Sequence, residues 1–330
     1  MIGVDQEFAG KRVMITGGLG FIGSNLAHRL AGAGAKILLV DSLIPSYGGN
    51  QFNIHGIEDL VRVNIADIRD THGVSYLVHG QDYIFNLAGQ VSHLDSVEDP
   101  VTDLEINCRA QISLLEACRR RNPEVKLVFA STRQIYGRPM HLPVDENHPV
   151  KPVDPNGVNK LAGEHYHLLY SELYGLRACS LRLTNTYGPR MRACDARQTF
   201  IGLWFRQIVE RQVISVFGDG TQLRDFNYID DVVDAFLLAA ASPNSVGKIY
   251  NLGGEPVSLR ALAELLIELN DGGSYRLVPF PTERKAIDIG DYYGDFRKIC
   301  SELGWRPKTA LRDGLRGTME YFSSYAHHYW

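Results

Sequence analysis

Apolar residues in this chain fall into short unbroken runs separated by stretches with a helical repeat. Lys11 to Thr16 is a brief β-rich run, Phe21 to Ala33 sets its apolar residues on one helical face, and Ala35 to Asp41 is an almost continuous apolar strand ending in an acid. The alternation recurs as a strand from Tyr83 to Ala88, a helix from Thr102 to Arg121 and a strand from Val125 to Ser131. A helix from Val158 to Tyr174 and a strand from Arg177 to Leu183 follow. Strands that are apolar on both faces and separated by helices predict an α/β fold, a doubly wound parallel sheet covered on both sides.

The rhythm changes after Leu183. Loops rich in Gly, Pro and Arg (Tyr187 to Ala196 and Phe217 to Arg224), a helix near Phe200 to Glu210 and shorter strands predict a smaller α+β lobe. The expected division is a first domain over 1–183 built on the sheet and a smaller lobe over 184–330, with segments near 228–254 returning to the sheet. No repeat, low-complexity tract or Pro/Ser linker separates the lobes, so they are expected to pack as one body. Ligands of open α/β sheets bind at the carboxyl ends of the strands, which is where the cleft between the lobes would lie.

Between the first strand and the first helix stands Thr16-Gly17-Gly18-Leu19-Gly20-Phe21-Ile22-Gly23. Glycines at this spacing serve a tight turn, close approach of backbone to a pyrophosphate and close packing of helix on strand, and the helix N-terminus favours negative charge. A glycine triplet alone is weak, because such turns are common for structural reasons. Here a strand precedes it, a helix follows it, and Asp41 ends the second strand at the expected distance. An acid there accepts from the adenosine ribose hydroxyls and repels a 2′-phosphate, so the expected cofactor is NAD rather than NADP. Asp67, after the third strand, is placed to contact the adenine, or taken alone to cap a helix.

With 330 residues, 45% of them hydrophobic, the chain can bury a large core without disulfides or metals. A formal net charge of -4 and the absence of basic runs interleaved with aromatics argue against nucleic acid as a partner. The cysteines at 108, 118, 179, 194 and 300 are odd in number and never spaced C-x-x-C, so neither a disulfide framework nor a zinc site is expected. No apolar run approaches membrane-spanning length and the N-terminus lacks the pattern of a signal peptide, so the expected location is the cytoplasm, with no membrane partner.

From Gly17 through Trp305 the chain resembles the extended short-chain dehydrogenase/reductase superfamily, in its nucleotide-sugar epimerase and dehydratase branch, with UDP-glucose 4-epimerase-like members as the general template. The resemblance rests on the glycine loop, Asp67-Ile68-Arg69-Asp70, Leu87-Ala88-Gly89-Gln90, and Ser131-Thr132 with Ile135-Tyr136-Gly137. It continues through Lys160-Leu161-Ala162-Gly163-Glu164, Arg182, Asn185, Tyr187-Gly188-Pro189-Arg190, Arg224-Asp225-Phe226 and Leu303-Gly304-Trp305. It implies a Rossmann domain whose Gly17, Gly20, Phe21, Ile22, Gly23, Asp41, Asp67, Ile68, Leu87, Ala88, Gly89 and Lys160 bind a tightly held NAD. The substrate it implies is a nucleotide diphosphate sugar, oxidised to a ketone and reduced again. Thr132 matches the hydroxyl residue that bonds the reacting oxygen, Lys160 the lysine on the nicotinamide ribose, and Asn185 with Arg224 the diphosphate-holding positions. Arg190, Arg192 and Arg197 add positive charge near that end. Family members commonly pair through the helices near Thr102 to Arg121 and Val158 to Tyr174, which implies a homodimer.

Two departures stand out. Four residues before Lys160, where the family has a tyrosine, stands Asn156; a carboxamide donates and accepts hydrogen bonds but exchanges no proton near neutrality. The base is therefore unassigned, with a desolvated Lys160 and His93, in the loop after the fourth strand that lines the family's sugar pocket, as candidates. The second departure is Arg133-Gln134 directly after Thr132, where dehydratases of this branch carry Asp and Glu. Without carboxylates, elimination by that route is disfavoured, and Arg133 could pair with an anionic sugar group or brace a loop. Three functions follow: an NAD-dependent nucleotide-sugar epimerase, most of all a 4-epimerase; a dehydratase with a different base; or an NAD and nucleotide-sugar binding protein that has lost its base.

Overall fold

A computed structural model describes residues 4–196 and 199–330. Six strands come first: β1 (Arg12–Thr16), β2 (Lys36–Asp41), β3 (Val61–Ile65), β4 (Tyr83–Asn86), β5 (Lys126–Thr132) and β6 (Arg177–Leu183). The rest are β7 (Asn185–Tyr187), β8 (Val213–Phe217), β9 (Leu223–Tyr228), β10 (Ile249–Asn251), β11 (Pro256–Ser258) and β12 (Ser274–Val278). Seven of them form one parallel sheet in the order β10-β6-β5-β4-β1-β2-β3. The order reverses direction at β1, the switch point at which open α/β sheets open a crevice at their carboxyl edge. Two small sheets, β11-β9-β7 and β12-β8, belong to the second lobe.

The central strands are apolar on both faces because both are covered. On one face α1 (Phe21–Gly32) packs with later chain, including Val232, Phe236 and Trp305, over Val13, Ile15 and Phe85. On the other, Met14, Ile84 and Leu127 lie under Leu114, Leu115 and Cys118. The segment from Ile229 to Leu252 and the stretch around Ile299 and Trp305 are therefore part of the large sheet's core, and the Trp305 indole donates to the Asp231 carbonyl at 2.7 Å. A separate core under Trp204, Phe205, Leu262 and Phe322 holds the smaller lobe together.

Two helices differ from the sequence expectation. After α2 (Thr71–Leu77) and α3 (His93–Glu98), the helix expected over Thr102 to Arg121 is built as α4 (Pro100–Leu104), a π turn over Glu105–Arg109, and α5 (Ala110–Arg121). The extra residue in the π turn goes with an inward Asn107, whose amide donates to the Gln90 carbonyl at 2.9 Å. The next helix, α6 (Pro155–Tyr174), starts three residues before Val158. Its first turn is set by Asp154 as N-cap, accepting from the Gly157 amide at 2.7 Å, and by Pro155, whose missing N–H falls where a helix needs none.

Among the described residues no helix is long and apolar enough to cross a membrane. No group of three or more His, Cys, Asp or Glu there could hold a metal ion.

Candidate active site

At the carboxyl edge the strand ends converge on one cavity of about 610 Å³. All the site residues named from the sequence line it: the glycine loop, Asp41, Asp67 with Ile68, Leu87 to Gly89, His93, Thr132 to Gln134, Asn156, Lys160, Asn185 and Arg224. The register explains the convergence. Thr16 pairs with Val40 and Asn86, and Thr132 with Leu183, so the loops leaving β1, β2, β4, β5 and β6 emerge along one edge.

The glycine loop is held by backbone and by two polar side chains. Gly17 has φ 69°, a left-handed turn that favours glycine, and a Cβ on Gly23 would lie 2.2 Å from the Gly17 carbonyl oxygen. The Thr16 hydroxyl donates to Asn86 Oδ1 at 2.9 Å and accepts from the Ala88 amide at 3.1 Å, locking the first and fourth strand ends together. Asp41 is buried, accepting from the Leu19 and Leu43 amides at 2.9 and 2.8 Å; burial pushes its carboxyl up despite these donors. The first turn of α1 opens onto the cavity through Gly20, Phe21 and Ile22, so a pyrophosphate would meet backbone N–H groups and the positive helix end. Asp67 does not cap a helix; Asp70 does, and Asp67 pairs instead with Arg69 at 2.6 Å, which holds its carboxyl down.

Lys160, on α6, is buried and extends its Nζ to the Ala130 carbonyl at 3.2 Å, above the Phe129 ring. Burial lowers its ammonium to about 8, against the pull of Asp103. Asp103 is fully buried and accepts from the amides of Asn107, Asn156 and Asn159 at 3.1, 3.0 and 2.8 Å. Asn156 is 2% exposed, and the same amide also donates to the Gln90 carbonyl at 2.8 Å and to Gln90 Oε1 at 3.2 Å. Its nitrogen is thus held within the protein, facing a carboxylate and a carbonyl.

Thr132 ends β5 and accepts from the Gln134 amide at 3.3 Å, which leaves its hydroxyl proton able to donate into the cavity. Arg133 braces its surroundings: Nη2 donates to Asn185 Oδ1 at 3.1 Å, and the guanidinium lies 5.1 Å from the centre of the Tyr292 ring. Asn185 sits on β7, its amide donating to the Asp225 carbonyl at 2.9 Å. Arg224 bonds the Leu223 and Gly290 carbonyls; burial and the neighbouring Arg133 lower it to about 10. This end of the cavity thus carries two buried guanidiniums. Arg190 and Arg192 lie elsewhere, on a smaller recess where they bond Asn25 and Asp195. Arg197 lies outside the described residues.

His93 opens α3 and is 27% exposed in its side chain, and its Nδ1 lies 2.9 Å from Asp154 Oδ2. Asp154 and Asp103 escaped notice in the sequence. Asp154 had a readable signal, since Asp-Pro before a helical repeat is a cap followed by a first-turn proline. The second lobe adds Trp204, Phe217, Phe280 and Arg284 to the lining, which no motif marked.

A family model, the NAD dependent epimerase/dehydratase family, matches residues 13–253, most of the chain. The chain belongs to this family. It is 32% identical over 318 residues to a UDP-glucose 4-epimerase of Mycolicibacterium smegmatis, covering 94% of this chain and 98% of that one. It is 30% identical over 318 residues to a dTDP-glucose 4,6-dehydratase of Streptomyces griseus, covering 94% and 93%. The solved structure of a UDP-glucose 4-epimerase with UDP-glucose from Thermotoga maritima superposes with a TM-score of 0.86 at 29% identity, covering 96% of this chain and 99% of that one. The protein is thus an NAD-dependent enzyme of the nucleotide-sugar epimerase/dehydratase family with a Rossmann sheet. The glycine cradle, the buried Asp41 and the opening of α1 fit that dinucleotide.

Proposed function

We propose that this epimerase/dehydratase family member is a nucleotide-sugar 4-epimerase working through a transient keto sugar. One observation carries the reading: Thr132, Lys160 and the glycine loop, on three different elements, face one cavity whose other end holds Asn185 and Arg224. NAD, bound along the glycine loop, would supply the acceptor and donor of the hydride. Asp41 takes the adenosine ribose hydroxyls, Asp67 and Ile68 border the adenine, and Lys160 holds the nicotinamide ribose. Thr132 orients the sugar hydroxyl, His93 and Gln134 border the sugar, and Asn185 with Arg224 receives the diphosphate. Arg133 adds charge at that end and keeps Asn185 in place.

Epimerisation is favoured over dehydration because Arg133 and Gln134 follow Thr132, and neither side chain can exchange a proton with the sugar as a carboxylate could. The assembly in this reading is a homodimer in the cytoplasm. Leu169, Leu173 and Tyr174 on α6 and Leu104 on α4 are exposed apolar residues on the helices that would pair, and all five cysteines are free thiols.

The test is incubation with UDP-, dTDP-, CDP- and GDP-sugars, with products read by NMR and mass. An epimer of unchanged mass is expected. A product lighter by one water makes the enzyme a dehydratase, and no conversion or NADH absorbance with any of them overturns both catalytic readings.

A further inference from the structure

The family's tyrosine is missing, yet a hydroxyl cannot be oxidised to a ketone unless its proton has somewhere to go. Asn156, at the tyrosine's position, turns its amide toward Gln90 and Asp103. Tyr136, near in sequence to Thr132, is fully buried and bonds Asn251 Oδ1 and Arg182 Nη1 at 2.7 and 2.6 Å. Lys160 is directed to the Ala130 carbonyl and has the nicotinamide ribose to hold. Among the described residues lining the cavity the one imidazole is His93, brought from another strand end and joined to the Thr132 turn through Gln134.

We propose that His93 is the catalytic acid and base of this site and Asp154 its positioning residue, a pair that replaces the tyrosine. The proposal rests on the epimerase reading for its substrate, but its geometry stands apart from it. Asp154 is held from two sides. Its Oδ1 caps α6 through the Gly157 amide at 2.7 Å, and its Oδ2 is buried and makes no hydrogen bond, with His93 Nδ1 2.9 Å away as its ion-pair partner. A buried carboxylate oxygen needs a donor, and the ion-paired His93 Nδ1 is the group in reach, which puts the ring proton on Nδ1. The Gln134 amide nitrogen is a donor that would favour the other tautomer, but at 3.4 Å from the same Nδ1 it is the weaker contact beside a carboxylate at 2.9 Å. With Nδ1 protonated, Nε2 carries the lone pair, on a ring that lines the cavity. Gln134 also links the ring to the Thr132 turn, since its backbone amide donates to Thr132 Oγ1.

In the oxidising step His93 Nε2 takes the sugar O–H proton as the C–H hydrogen leaves with its electron pair, for which bound NAD would be the acceptor, and a carbonyl forms. The imidazolium is balanced by the Asp154 carboxylate. In the reducing step Nε2 gives its proton back to the oxygen as hydride would return to the other face of the carbonyl carbon, so His93 ends as it began. Asp154 caps the helix that carries Lys160, so one helix start positions both the proton carrier and the ribose-holding lysine.

Asp154→Asn tests this cleanly, because asparagine caps helices as well as aspartate does. The capping oxygen is kept, and an NH₂ replaces Oδ2 facing His93. That group donates to Nδ1, moves the ring proton to Nε2 and removes the base; the same reversal disables other His–carboxylate pairs. Long-range ¹H–¹⁵N spectra of ¹⁵N-histidine-labelled, NAD-loaded protein, with His93 assigned through His93→Gln, read the tautomer without any substrate. The expected result is Nδ1–H in the wild type and Nε2–H in Asp154→Asn. On the nucleotide sugar found in the panel, both variants should lose kcat by roughly 10² to 10⁴-fold with KM little changed. An Nε2–H tautomer in the wild type overturns the proposal, as does turnover within threefold of wild type in either variant. If no sugar is converted while the wild type shows Nδ1–H and Asp154→Asn Nε2–H, the epimerase reading fails and the positioned pair stands.

Discussion

Gly89 stands so close to Lys160 that a Cβ built on it would lie 2.8 Å from the lysine Nζ and 2.9 Å from Asn107 Oδ1. The loop after β4 thus has no side chain at this point because a cation from α6 occupies the space. The cavity wall and the lysine's position are one arrangement.

Gly89→Ala is therefore expected to push Nζ off the Ala130 carbonyl. Overpacking of this kind costs about 1–3 kcal/mol of stability. NAD affinity should fall about tenfold, or 1.4 kcal/mol, measured by calorimetry on protein stripped of cofactor. Unchanged affinity would mean that Lys160 does not hold the dinucleotide.

Much of this is legible in the chain, for physical reasons that differ from residue to residue. The runs around Val13, Leu38 and Val128 read as strands because a sheet covered on both faces leaves no polar position to blur the pattern. The glycine loop reads because Gly17 and Gly23 answer steric demands that only glycine meets. The π turn at Glu105 to Arg109 does not read, since the helical repeat runs through it unbroken and the turn shows only in where Asn107 points. The place of Trp305 against the first sheet is equally hidden, being a contact with Asp231 across a long stretch of chain. Asp154 is intermediate. Its capping role is written in Asp-Pro, but its partner His93 comes from a different strand end, and no spacing rule joins the two.

Lys160 should leave a signature in the pH dependence of stability. Its ammonium falls from 10.5 to about 8 on folding, so between those pH values the unfolded chain binds more protons and stability rises with pH. Below pH 8 both states are charged, and the cost of burying the charge, on the order of 3 kcal/mol, is present in full. Lys160→Met removes that cost. Cofactor-free Lys160→Met protein is expected to resist urea better than wild type at pH 7, with the gap closing toward pH 10.5. A gap that stays constant with pH would show that the lysine's proton is not destabilised by folding. The same variant should bind NAD poorly, which separates the stability effect from function.

Asn156→Tyr asks whether the site is a tyrosine site that has decayed or one built on another base. The asparagine is 2% exposed, and its amide supplies a donor to Asp103 at 3.0 Å and to the Gln90 carbonyl at 2.8 Å. A phenol has one O–H and cannot make both bonds. Losing a donor to a buried carboxylate costs about 1–3 kcal/mol, so the variant should unfold at lower denaturant. If His93 and Asp154 move the proton, the added phenol supplies nothing that is missing, and turnover should stay level or fall. A rise of tenfold or more would point to a decayed tyrosine site. Asn156→Ala separates bulk from chemistry: it removes the same donor without adding a phenol, so it should share the loss of stability, and any activity that appears only with tyrosine must come from the phenol.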